Sequence, residues 1–176
     1  MSHEAVLKFW FDELTPKQHW TKDPELDARI RERFSAIYEA IAAGDREGWL
    51  DAPRTCLAYV IVLDQFSRNM FRDTPRMYAA DERAQRAVEH ALVRGYDAEL
   101  SDEERGFLYM PLMHSESLAH QDRCVALYKG HNNEKFAHMH RDIVAKWGRF
   151  PHRNAILGRE STPEEAEFLN QPGSSF

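Results

Sequence analysis

Proline just inside the start of a segment and glycine just past its end constrain this chain more than any other feature. Proline fits the first helical turn, where its missing N–H costs nothing, and glycine accepts the left-handed residue after the last turn. Asp23-Pro24 opens a segment in which Ile30, Phe34, Ile37, Tyr38 and Ile41 recur at helical spacing, and Gly44 closes it. That pattern is an amphipathic helix. Thr15-Pro16-Lys17-Gln18, Ser101-Asp102-Glu103-Glu104 and Thr162-Pro163-Glu164-Glu165 each have the spacing of a capping box, so each predicts a helix start. Thr74-Pro75 precedes a helix expected over residues 77–94, which Gly95 ends, with Ala80, Ala84, Ala87, Val88 and Ala91 as an inner face of small residues. Residues 115–129 before Gly130 read as another helix. So do residues 132–147 before Gly148, with Phe136, Met139, His140, Ile143, Val144 and Trp147 on the apolar stripe.

The helix expected from residues 51–53 contains Leu57-Ala58-Tyr59-Val60-Ile61-Val62-Leu63, apolar on every face, as a helix surrounded by others would be. A buried strand competes for this short, partly β-branched run, although Ala58 and the polar flanks favour a helix. Pro111 predicts a bend or an end near Met110. No other stretch reads as a strand. The expected fold is therefore all-α, about eight helices in antiparallel hairpins, because short connections set neighbouring helices antiparallel. A length of 176 residues, 43% of them hydrophobic, suits a single domain over 1–176 with a real core.

Composition also removes whole classes of function. The longest apolar run falls far short of the roughly 20 residues that cross a bilayer, so no membrane partner is expected. Two cysteines, Cys56 and Cys124, and a start without a charged and then apolar leader point to a cytoplasmic protein without a disulfide framework. A net charge of −6 argues against nucleic acid, which needs a cationic face. His138 and His140 stand on different helix faces, and neither His-Glu-x-x-His, Cys-x-x-Cys nor a glycine-rich phosphate loop occurs, so no metal and no cofactor are expected. Trp10, Trp20, Trp49 and Trp147 fit helix faces or ends and are assigned to the core.

Three blocks are familiar: Leu63-Asp64-Gln65-Phe66-Ser67-Arg68-Asn69-Met70-Phe71-Arg72, Tyr109-Met110-Pro111-Leu112-Met113-His114-Ser115-Glu116, and Phe150-Pro151-His152-Arg153-Asn154 through Leu157-Gly158-Arg159-Glu160-Ser161-Thr162. Together with the closing Gln171-Pro172-Gly173-Ser174-Ser175-Phe176, they resemble a bacterial family, domain-of-unknown-function 924, nearly end to end. The resemblance implies an all-helical fold similar to the tetratricopeptide-like helical-hairpin proteins, a superhelical stack. It implies no activity, cofactor or catalytic residue. Ser67 stands where many relatives are expected to carry proline, a departure that concerns only the local backbone.

The candidate site residues come from three places. The face set by Leu57, Val60 and Ile61 continues onto Asp64, Gln65 and Arg68, with Arg72 a turn further, so charges are expected to point inward. Asp64 and Arg68 at i, i+4 form either an internal brace or, with Arg72, an anion-binding fork. Residues 131–160 hold six Lys or Arg (Lys135, Arg141, Lys146, Arg149, Arg153, Arg159) against three acids (Glu134, Asp142, Glu160), and the turn with His152, Arg153 and Asn154 is either clamped to acidic neighbours or free to recognise an anion. His114 and Glu116 follow the Pro111 discontinuity. They sit two apart, and on a continuous helix would diverge.

Two functions follow from the sequence. The first is a cytoplasmic tetratricopeptide-like protein that binds a protein or peptide partner in a concave groove. The alternative is a small-molecule enzyme or anionic-ligand binder whose pocket joins Asp64, Arg68, Arg72, His114, Glu116, His152, Arg153 and Asn154. Partner binding ranks first because no spacing meets a recognised catalytic geometry, and RNA contact through the basic segment ranks below both.

Overall fold

The computed structural model describes residues 1–175 and contains no strand among them; Phe176, in the closing block, lies outside the described residues. Two compact units make up the chain, one of residues 1–72 and 76–111, the other of residues 73–75 and those from 112 onward.

In the first unit, α1 (His3–Leu7) starts where the Ser2 side chain accepts the Ala5 N–H, and it runs on into a wider π-helical turn, Lys8–Glu13. Helix α2 (Pro24–Ala43) begins at Asp23, whose carboxylate accepts the Glu25 and Leu26 N–H groups, and it ends on Gly44 at φ 90°. Its predicted stripe, Ile30, Phe34, Ile37, Tyr38 and Ile41, is buried throughout. Helix α3 (Pro53–Ile61) passes through the π-helical turn Val62–Phe66 into α4 (Ser67–Met70), and every side chain from Cys56 to Phe66 is buried. The run that also read as a strand is thus a helix enclosed on all sides. Phe9, Phe34 and Phe66 form the ring cluster at its centre, with centroids 4.9, 5.8 and 4.5 Å apart.

Helix α5 (Asp81–Val93) starts later than residue 77, because a 3-10 turn, Pro75–Tyr78, precedes it; Ala80, Ala84, Ala87, Val88 and Ala91 are buried as expected. Helix α6 (Asp102–Met113) begins with a true capping box, in which Ser101 Oγ accepts the Glu104 N–H at 3.3 Å and Glu104 accepts the Ser101 N–H at 3.0 Å. Pro111 does not stop it near Met110. The helix runs two residues past Pro111, to Met113, and ends there.

The segment that opens with Thr15 departs from expectation. Gln18 accepts the Thr15 N–H at 2.9 Å, but the Thr15 hydroxyl donates to that same Gln18 oxygen at 3.0 Å, so it caps no helical N–H. Residues 16–20 form turns instead of a helix, and Trp20 stands 60% exposed rather than in the core.

In the second unit α7 (Leu118–Leu127) packs on α8 (Glu134–Trp147), which ends on Gly148 at φ 69°. Helix α7 starts three residues late because residues 115–117 form a turn tied by Gln121, whose buried amide donates to the Met113 and Ser115 carbonyls at 2.7 and 2.6 Å. On α8 the buried face is Ala137, His140, Ile143 and Val144, and Phe136 turns outward with 48% of its surface exposed. Ile143, Val144 and Phe150 form a core that Trp147 and Phe168 flank. Helix α9 (Pro163–Leu169) carries the complete capping box between Thr162 and Glu165.

Among the described residues no helix is long and apolar enough to cross a membrane. Cys56 and Cys124 are buried, and burial pushes each thiol up to about 12, so neither is ionised near neutral pH.

Candidate functional site

The inward charges of the first unit form two clasps. Asp64, wholly buried in the π-helical turn, lies 3.1 Å from Arg68 Nη1 and accepts the Gln65 amide at 2.6 Å. Arg68 also donates through both Nη atoms to Asp81 at the start of α5, at 3.0 and 3.1 Å. Burial works against the Arg68 charge, yet the adjacent Asp64 and Asp81 outweigh it and raise its pKa. Arg72 donates to both oxygens of Asp27 on α2, at 2.6 and 2.8 Å, and Asn69 donates to the same carboxylate at 2.7 Å. Arg68 therefore ties α4 to α5, while Asn69 and, from the turn after α4, Arg72 tie that end of the helix to α2. Forked, doubly bonded pairs of this kind fix the angle between helices as well as neutralising charge.

The second unit closes the basic turn in the same manner. Glu116 accepts the Phe150 N–H at 2.7 Å and both Nη atoms of Arg159 at 2.8 and 2.9 Å. Those contacts overcome its burial and hold its carboxyl below the usual range. Because α6 ends at Met113, His114 and Glu116 lie in a turn and the helical divergence between them does not apply. Arg149 grips Glu165 with two bonds of 2.7 Å, which together with the Thr162 N–H draw that carboxyl down to about 2. Asn154 accepts from Arg159 at 3.0 Å and donates to Ser161 at 3.0 Å. Arg153 donates to the His114 carbonyl at 2.8 Å and lies over the Phe150 ring at 4.6 Å.

Two imidazoles flank Phe150, and a third lies beside one of them. His114 and His140 have ring centroids 6.1 Å apart, and His140 and His152 lie 5.7 and 5.5 Å from the Phe150 ring. Burial, then His114, pushes His140 down to about 3; burial, then Arg153, pushes His152 down to about 4. Both rings are neutral at pH 7, and a general acid–base group works best with a pKa near the operating pH. Among the described residues no group of three or more His, Cys, Asp or Glu is placed to hold a metal ion.

Of the eight candidates, then, Asp64, Arg68 and Arg72 belong to the first unit, and His114, Glu116, His152, Arg153 and Asn154 belong to the second. Arg68, Arg72 and Arg153 each bond to a carboxylate or a carbonyl inside their own unit.

No sequence pattern pointed to an open groove of about 660 Å³ in the first unit. One wall is α1 and its π-helical extension, with Glu4, Lys8, Phe11 and Asp12; the other is the start of α6, with Glu103 and Glu104, and Arg54 from α3 pairs with Glu104. Behind the lining residue Phe11 lies Phe107, 5.6 Å away, and the Trp20 indole lies nearly parallel to Phe107, 5.8 Å away at 12°. His19 fills the space between, 4.5 Å from Trp10 and 5.1 Å from Phe107. Burial lowers the His19 pKa, and the charge of Glu103 acts against that shift. A smaller hollow of about 430 Å³ in the second unit lies beside Trp147 and Phe168, and Lys146 already sits over the Trp147 ring at 4.5 Å.

These features define an all-helical protein with internal charges tied in pairs and with an open, carboxylate-lined groove in its first unit. The chain belongs to the family of bacterial proteins of unknown function (DUF924), which it matches over residues 6–173. It is similar to the solved structure of a protein of unknown function, ATU0120, from Agrobacterium tumefaciens, with 39% identity, 96% of each chain covered and a TM-score of 0.92. No curated protein matches it.

Proposed function

We propose that this protein is a cytoplasmic, tetratricopeptide-like helical scaffold that binds a protein or peptide partner, and that the groove beside Trp20 is where the partner docks. The observation that carries this reading is the exposed Trp20 indole stacked on Phe107, a ring that in turn meets Phe11 in the lining of an open groove. Large aromatic side chains dominate the energetics of protein interfaces, and leaving one in water has no folding benefit. The alternative, an enzyme or anionic-ligand binder, draws less support. Its arginines are engaged with internal acceptors, and His152, like the neighbouring His140, is shifted away from neutral pH.

Affinity capture with the full chain tests the reading when the wild type is run beside Trp20→Ala and Glu103→Lys. Both positions are exposed, so melting temperatures should stay close to wild type. A stoichiometric partner held by the wild type and lost by both variants is the expected result. A partner retained equally by all three proteins overturns the assignment of the groove.

A further inference from the structure

We propose that the partner segment seated in this groove is a cationic peptide stretch that also carries an apolar or aromatic residue. Its lysines or arginines face the carboxylate wall, and its apolar side chain packs on Trp20. The proposal rests on the partner-binding reading above and adds to it the chemistry of the partner.

The charges of the groove favour that occupant. Glu104 is engaged by Arg54 and by the Ser101 N–H; Glu4, which lies 3.1 Å from His3 Nε2, Asp12 and Glu103 are exposed carboxylates, and Lys8 is the remaining lysine or arginine of the lining. Three negative groups around an open hollow attract a cationic segment and oppose an acidic one, and such complementarity governs approach rate and choice of partner more than raw affinity. The chain as a whole is also acidic, at −6, so the long-range field has the same sign as the groove.

The aromatic edge supplies the anchor. Glu103 and Phe107 stand at i, i+4 on α6 and so share a face, which puts the carboxylate wall next to the ring on which Trp20 rests. A flat indole backed by a buried phenyl ring is a rigid surface that loses little conformational entropy when covered. It also offers a π face to an arginine or lysine of the incoming segment.

Selection from a random-peptide display library on the wild-type chain, with counter-selection on a Trp20→Ala, Glu103→Lys double variant, tests the proposal. Enriched peptides are expected to have an excess of Lys and Arg beside at least one apolar or aromatic residue. Their affinity, read by fluorescence polarisation, is expected to fall as salt rises and to drop about tenfold or more in Trp20→Ala. Enriched peptides that need Trp20 and Glu103 but show no basic excess would overturn the cationic proposal and leave the groove reading standing. Failure to enrich any peptide that depends on those two residues would overturn both.

Discussion

Replacing Arg68 with methionine is expected to remove about 3–5 kcal/mol of stability, the usual cost of leaving a buried carboxylate without its partner. The side chain is 16% exposed, and it stands between Asp64, 1% exposed, and Asp81, 11% exposed, so water replaces little of what is lost. Adding Asp64→Leu to Arg68→Met should recover part of the loss, since exchanging both members of a buried pair for apolar groups is often close to neutral. Urea denaturation of the single and double variants measures both effects through the midpoint at constant slope. A single variant that loses under 1 kcal/mol would mean that Arg68 is not a brace and that its charge is held for something else.

Acid is expected to destabilise the second unit well above the pH at which ordinary carboxylates titrate. His140 and His152 have folded pKa values of about 3 and about 4, below the usual imidazole value near 6.5 that they regain on unfolding. Between those limits the unfolded chain binds more protons than the folded one. Stability is therefore complete above about pH 6.5 and is lost as pH falls toward 4, by several kcal/mol in all. Glu165, drawn down to about 2, adds a further loss of the same sign below pH 4.5. Hydrogen exchange in α7 and α8 should accelerate steadily from pH 6.5 to pH 5 after correction for the intrinsic rate. His140→Phe, which keeps a ring beside Phe150, should flatten part of that slope. Protection that is constant over this range would contradict the burial of neutral imidazoles.

How much of this was readable in the sequence depended on how local each feature is. Asp23-Pro24 through Gly44, and the boxes at Ser101 and Thr162, held because capping chemistry is complete within a few residues and an apolar stripe follows each of them. Thr15 has the same letters, but Lys17, Gln18, His19, Thr21 and Lys22 give a helix no face to bury, so the side chains bonded to each other and the chain turned. That miss also hid Trp20, which without a helix to carry it inward stays at the surface. The Asp64–Arg68 pair was visible as an i, i+4 spacing, whereas Asp81 and Asp27, which complete the two clasps, come from other helices and left no local trace. The groove was invisible for the same reason. Its walls come from residues near positions 3–12, 54 and 101–104, which no short pattern connects.

The proposed function resides at the groove of the first unit, and the clustered charges elsewhere hold the fold together. Hydrogen exchange read by mass spectrometry on the full chain, alone and with its captured partner, tests this most directly. Protection is expected to concentrate in residues 3–12, 17–21 and 101–107. Protection concentrated instead in residues 114–116 and 148–160 would contradict it and move the site to the histidine and arginine turn.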